Sequence, residues 1–235
     1  MSGLFHVGHV AQLHEIQTAR VNRGEDGIGM EVEELIVRLT SGGVAGKSDD
    51  PRVVSAKGWF DLGAGRELQI LKFKDYLATI PEVPALPEAF VGRFGRLVLV
   101  EGRLSLTTLC RLARLKFNGN DSTFVPFDPA KAKSGVRWMW CQDGRRNRDR
   151  KPTDCRNSFP ADEVGLDAVE GVSVYVDDPT VIHGHVLDLP GSVLADNRDD
   201  CAYLGNWDVG LRLDWYWDDS ASPGCGSASR GELPA

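Results

Sequence analysis

The chain has 235 residues, with 27 Lys plus Arg against 34 Asp plus Glu and a formal charge of −7. That balance argues against a general binder of nucleic acid or anionic membranes, which needs a net basic face. The composition, 42% hydrophobic and 26% charged, sets aside disordered, collagenous and coiled-coil classes.

No apolar run reaches the roughly 20 residues of a membrane span. The opening MSGLFHVGHVAQLHE lacks a basic region followed by an apolar stretch. The expected address is cytoplasmic by default, with surface display by another route left open. Cys110, Cys141, Cys155, Cys201 and Cys225 are odd in number and contain no CxxC pair. They read as buried or free thiols rather than a disulfide framework or zinc ribbon.

In chain order, residues 10–21 read as a short helix ended by Asn22-Arg23-Gly24, and 31–39 as a second helical or strand-like piece. Residues 46–52 read as a polar loop, followed by strands or short helices in VVSAKGWFDLG and ELQILKF. Prolines 81, 84 and 87 impose an extended connector on 80–87. GRLVLVEGRLS is a strand, 104–117 has helical spacing, and Asn118-Gly119-Asn120-Asp121 is a turn. A second unit is expected from about residue 126, with a strand in VRWMWC (136–141), a helix over 161–170 and a strand over 172–176. From 189 onward, Gly, Ser and Asp suggest strands such as LRLDWYW among long loops. The expected architecture is α+β: an accessory domain over 1–125 and a second domain over 126–235.

Several motifs suggest chemistry. His6-Val7-Gly8-His9 matches the HxGH of nucleotidylyl transferases, but only five residues precede it where a buried strand is required. His6, His9 and His14 lack an acidic partner for a metal site. GGVAGKS (42–48) imitates a phosphate loop, yet Ser41 stands where its first glycine belongs and Asp49-Asp50-Pro51 follows where a helix must open. His183-Gly184-His185 with Asp188 reads as a solvated turn rather than an acid/base cluster. RRNRDRKPTDCR (145–156) carries six basic side chains and two acids. Arg145, Arg146, Arg148 and Arg150, with Trp138 and Trp140 for stacking, form the case for a nucleic-acid module; the interleaved acids favour internal salt bridges.

Residues 189–231 contain no Lys, Glu, Gln or Met, although the chain's own frequency would place about five there. Most of the residue types that remain can be encoded by codons ending in a pyrimidine. Trp cannot, yet Trp207, Trp215 and Trp217 recur like fixed posts.

In this respect the segment resembles the variable proteins of diversity-generating retroelements. The restricted composition, its place near the C-terminus and the closing GSASRG, with Arg230, carry the resemblance; the GGSW and GFR signatures of one branch are absent. The resemblance implies a C-type lectin fold over about 126–235 with long irregular loops, preceded by a small α+β domain, and a variable region over about 196–226. It also implies a non-enzymatic protein that binds an unidentified protein or other macromolecule, with no cofactor. Calcium on Asp199-Asp200 and Asp218-Asp219 ranks lower, because the acids lack regular loop spacing.

The alternation of residues 211–217 assigns two faces. Trp207, Leu211, Leu213, Trp215, Trp217 and Pro223 are expected to pack inward as scaffold. Asn206, Asp208, Val209, Gly210, Arg212, Asp214, Tyr216, Asp218, Asp219 and Ser222 are expected to face the ligand, with Asp199, Asp200, Tyr203 and Cys225 extending the patch. On this reading the arginines of 145–156 brace long loops through carbonyls and acids, with Asp143, Asp149 and Asp154 nearby.

Overall fold

A computed structural model describes residues 50–207 and 210–232. The expectations for 10–21 and 31–39, for His6, His9 and His14, and for the 42–48 loop lie outside the described residues. Residues 51–235 form one compact unit.

Pro51 supplies the first helical residue of α1 (Pro51–Leu62), where its missing N–H costs nothing. Gly63, at φ 109°, turns the chain into the short α2 (Ala64–Glu67), and α3 (Phe73–Ala78) follows. Trp59 and Tyr76 from this layer are fully buried, and Trp59 Nε1 donates to the Leu99 carbonyl at 3.1 Å. The proline connector holds no helix or strand over 81–87, and Pro87 at its end is extended. It leads into β1 (Arg96–Gly102), whose Val98, Leu99 and Val100 are buried. α4 (Leu106–Leu112) is capped by the Ser105 side chain, and the chain leaves helical geometry at Arg114, φ 57°.

Two curled sheets carry the rest of this α+β arrangement. β3 (Gly135–Gln142) runs antiparallel to β1 from Arg96↔Cys141 to Gly102↔Gly135. β9 (Ser229–Gly231) fills the gap between β3 and β4 (Glu163–Gly165), giving the order β1-β3-β9-β4. The second sheet has the order β2-β5-β6-β7, from β2 (Phe124–Pro126), β5 (Val186–Leu194), β6 (Asp200–Trp207) and β7 (Gly210–Trp217). β8 (Cys225–Ser227) runs parallel to the first half of β5. α6 (Ala168–Asp177) packs on β1, β5 and β6, while the short α5 (Pro152–Ser158) lies against β5 and β8.

A single buried cluster runs from Ala56 on α1 to Ala228 between β8 and β9. The expected boundary at 125/126 therefore does not exist as a break in packing: residues 51–125 supply β1 and α1, which share the core with β3 and α6. Two further expectations change. The helix placed at 161–170 is instead β4 followed by α6, and the strand placed at 172–176 is the middle of α6. Asp167 caps α6 and Glu170 closes a reciprocal capping box, so the β-branched Val172 and Val174 are drawn into a helix that their own propensity would not start. The last third of the chain is a further correction: it is built of strands rather than dominated by loops.

The capping glutamate does more than cap. Glu170 is fully buried; its Oε2 accepts from the Asp167 N–H at 3.0 Å. Its Oε1 lies 2.7 Å from Arg137 Nη2 on β3 and 2.7 Å from Arg230 Nε on β9. Replacing it with alanine strands two largely buried guanidinium groups. Glu170→Ala is expected to lower unfolding free energy by about 3–5 kcal/mol, measured by urea denaturation; a loss below about 1 kcal/mol would show that the cluster is dispensable.

Candidate ligand-binding face

The register of β5, β6 and β7 sorts their side chains onto two faces. Leu189↔Ala202 and Leu187↔Leu204 pair across β5 and β6, and Ala202↔Trp215 and Leu204↔Leu213 across β6 and β7. This face joins the main core: Leu213 is fully buried, Leu211 packs against the cluster, and Trp215 meets Phe124 edge-on at 6.0 Å. The opposite face carries Asp188↔Tyr203, Cys201↔Tyr216, Tyr203↔Asp214 and Gly205↔Arg212.

On that second face a small separate cluster forms from Val186, Tyr203 and Cys225, with Tyr216 packed against it. The Tyr203 and Tyr216 rings meet at 5.4 Å and 73°, edge to face. They wall an open pocket of about 350 Å³ lined by Tyr203, Arg212, Tyr216, Ser220, Ser222 and Cys225. Behind the wall, the Tyr216 hydroxyl donates to Asp188 Oδ1 at 2.9 Å. Asp188 is fully buried and its Oδ2 has no hydrogen-bond partner. Burial pushes its pKa up to about 7, opposed by the Tyr216 hydrogen bond.

Of the residues expected to face a ligand, Asp199, Asn206, Gly210 and Asp219 are exposed, and Arg212, Asp214, Tyr216 and Ser222 are half-buried. Asp200, Tyr203, Asp218 and Cys225 are buried instead. Tyr203 and Cys225 are buried against each other and Val186, although both still line the pocket. Asp218 is held by Arg156 Nη2 at 2.6 Å and Asp200 by Asn197 Nδ2 at 3.0 Å. Asp208 and Val209 lie outside the described residues, as does the side chain of Trp207, whose backbone ends β6.

Among the residues assigned to the scaffold, Leu213 and Arg230 are buried and Leu211 and Trp215 half-buried. Trp217 and Pro223 are corrections: Trp217 is 72% exposed and Pro223 is exposed. Trp217 keeps the inward parity of β7 but is its last residue, one pair beyond Trp215, where the sheet is no longer covered. Sequence reasoning missed Ser220 in the lining and Asp188 as the group behind Tyr216. The signal for Asp188 was an acid held between leucines in VLDLP, the period of a strand with an enclosed second face.

The arginines at 145, 146, 148 and 150 are exposed, yet each has a partner within the fold. Arg145 pairs with Asp143 and donates to the Val181 carbonyl at 3.2 Å; Arg146 pairs with Glu163. Arg148 donates to the Gly184 carbonyl at 3.1 Å, Arg150 to Ser158 Oγ at 2.8 Å, and Lys151 pairs with Asp219 at 2.7 Å. Of the three acids expected as partners only Asp143 serves; Glu163, Asp218 and Asp219 do the rest. Gly144 makes the approach possible: at φ 83°, a Cβ there would stand 2.2 Å from the Gly226 carbonyl oxygen.

His183 is exposed. His185 is buried, with Nε2 at 2.7 Å from the Asp143 carbonyl, and burial lowers its pKa. A carbonyl only accepts, so Nε2 carries the proton, and the imidazole holds the 143–148 turn as a neutral strut. Among the described residues no group of three His, Cys, Asp or Glu side chains is placed to hold a metal ion. All five cysteines are buried and unpaired, and burial raises their thiol pKa values, which leaves them poor nucleophiles.

No family model, curated protein or solved structure matches the chain.

Asp188 makes stability fall as pH rises. Its carboxyl holds a proton in the folded state up to about pH 7, whereas the unfolded chain releases it near 3.8. Folding is therefore penalised increasingly from about pH 4 to pH 7 and no further above, by an amount on the order of a few kcal/mol. Asp188→Asn is expected to flatten this part of the profile, measured by urea denaturation between pH 4 and 8. Asp167 and Asp177, also raised by burial, retain their own share of the slope. An unchanged profile in the variant would sink the assignment.

Proposed function

We propose that this protein is a non-enzymatic receptor for a macromolecular ligand, and that it is a variable protein of the diversity-generating-retroelement kind on a C-type-lectin-like framework. The observation that carries the reading is where the restricted segment ends up. All six residues that line the Tyr203–Tyr216 pocket fall within 196–226, and five of them, all but Ser220, are positions that composition and alternation assign to a ligand.

The packing supports the same reading. One parity of β7 is held in the core while the other faces the pocket, so side chains of the second set can change without disturbing the first. Tyrosine walls rimmed by serines suit recognition of varied partners, because two-torsion aromatics give contact area at low entropic cost and hydroxyls adapt their hydrogen bonds. The β9 strand, paired on both sides, anchors the end of the segment on the fixed sheet. The internal pairing of Arg145, Arg146, Arg148 and Arg150 counts against a nucleic-acid module, for their donors already have partners within the fold.

Sequencing around the gene decides the origin of the segment. A near-copy of its 3′ end, differing at adenines, and a reverse-transcriptase gene are expected nearby; their absence would end the retroelement reading. The division of β7 is tested separately. Replacing Asn206, Asp214 and Ser222 together is expected to shift unfolding free energy by no more than about 0.5 kcal/mol per site, whereas Leu213→Ala is expected to cost about 2–5 kcal/mol. A reversed order in calorimetry would mean that the two faces have been exchanged.

A further inference from the structure

Deepening the receptor reading, on which it rests, we infer that the Tyr203–Tyr216 pocket recognises a carboxylate, presented by a protein partner on a slender apolar stem. The lining contains one cation, Arg212, three hydroxyl-bearing residues besides Tyr216, and no acid. That is the reverse of its surroundings, since 188–235 carries nine acids and three arginines. Of those arginines, Arg230 is buried against Glu170 and Arg198 donates to the Phe127 carbonyl at 2.8 Å. Arg212 is the one that lines the tyrosine pocket.

Its guanidinium has Asp214 and the Tyr203 phenol as neighbours and five donors to divide between them. Arg212 Nε is buried and has no hydrogen-bond partner; Asp214 Oδ2 stands 3.3 Å away without the alignment of a hydrogen bond. Asp214 turns its other oxygen to the Trp215 N–H at 3.1 Å. A guanidinium has five donors in a fixed fork, suited to both oxygens of a carboxylate. The Tyr203 phenol takes a hydrogen bond from it, which leaves further donors of the fork for a ligand, and Ser220 and Ser222 supply hydroxyls at the rim.

The tyrosine rings give apolar faces to the stem that carries the acid. Tyr216 is fixed by its hydrogen bond to Asp188, and Asp188, holding its proton to about pH 7, puts little negative charge behind the wall. The cleft between β2 and β4 offers a contrast. There Arg156 and Arg230 share the lining with Asp128, Glu163, Asp167 and Glu170, so a second acid would meet like charge.

The test uses the full chain with 13C-labelled tyrosine rings and four short probes. Acetyl-Ala-Glu-Ala-amide carries a side-chain carboxylate, acetyl-Ala-Ala-Ala with a free C-terminus carries a terminal one, and acetyl-Ala-Gln-Ala-amide and acetyl-Ala-Lys-Ala-amide are the neutral and cationic controls. Tyr203 and Tyr216 report on the pocket, and Tyr76 and Tyr175 on the rest of the fold. At least one acid probe is expected to shift Tyr203 and Tyr216 with a millimolar dissociation constant, and the better of the two identifies the source of the carboxylate.

Arg212→Gln is expected to weaken that binding roughly tenfold or more, the loss of a charge-assisted hydrogen bond, and Arg212→Lys to keep part of it. Unmoved Tyr76 and Tyr175 signals in both variants show that they fold. Equal or tighter binding of the Gln or Lys probe, wild-type affinity in Arg212→Gln, or no shift with any probe would overturn the carboxylate assignment. A Gln or Lys probe that moves Tyr203 and Tyr216 would do so while leaving the face a binding surface, so the two readings fail separately.

Discussion

Glu170 is the point on which the described fold turns. Its carboxylate closes the N-terminus of α6 and faces a guanidinium from β3 and another from β9, so one buried charge fixes a helix and two strands from distant parts of the chain. The neighbouring bonds extend the lock. Gln142 on β3 donates from Nε2 to the Ser227 carbonyl at 3.0 Å and to Ser229 Oγ at 2.7 Å, and Glu163 on β4 accepts from Ser229 Oγ at 2.5 Å. Buried ion pairs seldom add much net stability over an apolar core. What these provide is register: β9 can enter between β3 and β4 in only the position that answers both acids.

With residues 225–231 held in this way, the strands before them are free to specialise. β7 sits at the edge of its sheet, covered on one face by the core and opened on the other to the tyrosine pocket. A strand's period of two converts that asymmetry into a rule, in which neighbouring residues have different duties. Leu211, Leu213 and Trp215 are answerable to packing; Arg212, Asp214 and Tyr216 are answerable to whatever occupies the pocket. The rule lapses only where the covering layer ends, at Trp217.

The split in β7 was legible because Leu-Arg-Leu-Asp-Trp-Tyr-Trp alternates cleanly, and β1 and β3 because their apolar runs have few other solutions. α6 was not, since VSVYV reads as a strand until Asp167 and Glu170 are seen to cap it. Gly171 settles the matter in three dimensions: a Cβ there would stand 2.4 Å from Leu189 Cδ2, so helix and sheet touch at a position that permits no side chain. β5 was hidden by Pro190 and Gly191, which read as a loop but sit where the pairing with β6 shifts register between Leu189 and Val193. The domain boundary failed for a different reason. Strand pairing between β1 and β3 is a long-range fact, and no local pattern near residue 125 reveals that the chain returns to the same core.

The contrast between a basic segment and an acidic tail takes on another meaning once the pairs are known. Arg156 meets Asp218 and Lys151 meets Asp219, while Asp188 holds its proton to about pH 7 and Asp214 stands beside Arg212. The two charge blocks are thus in part complementary sides of one internal contact, and neither is a free patch awaiting a polyanion or a cation. Arg156 also lies over the Phe127 ring at 4.3 Å, which ties the same contact to the end of β2. A segment whose acids are answered from within presents a partner with far less charge than its composition states. Selectivity then falls to the groups that line the tyrosine pocket, where Arg212 is the one charged side chain.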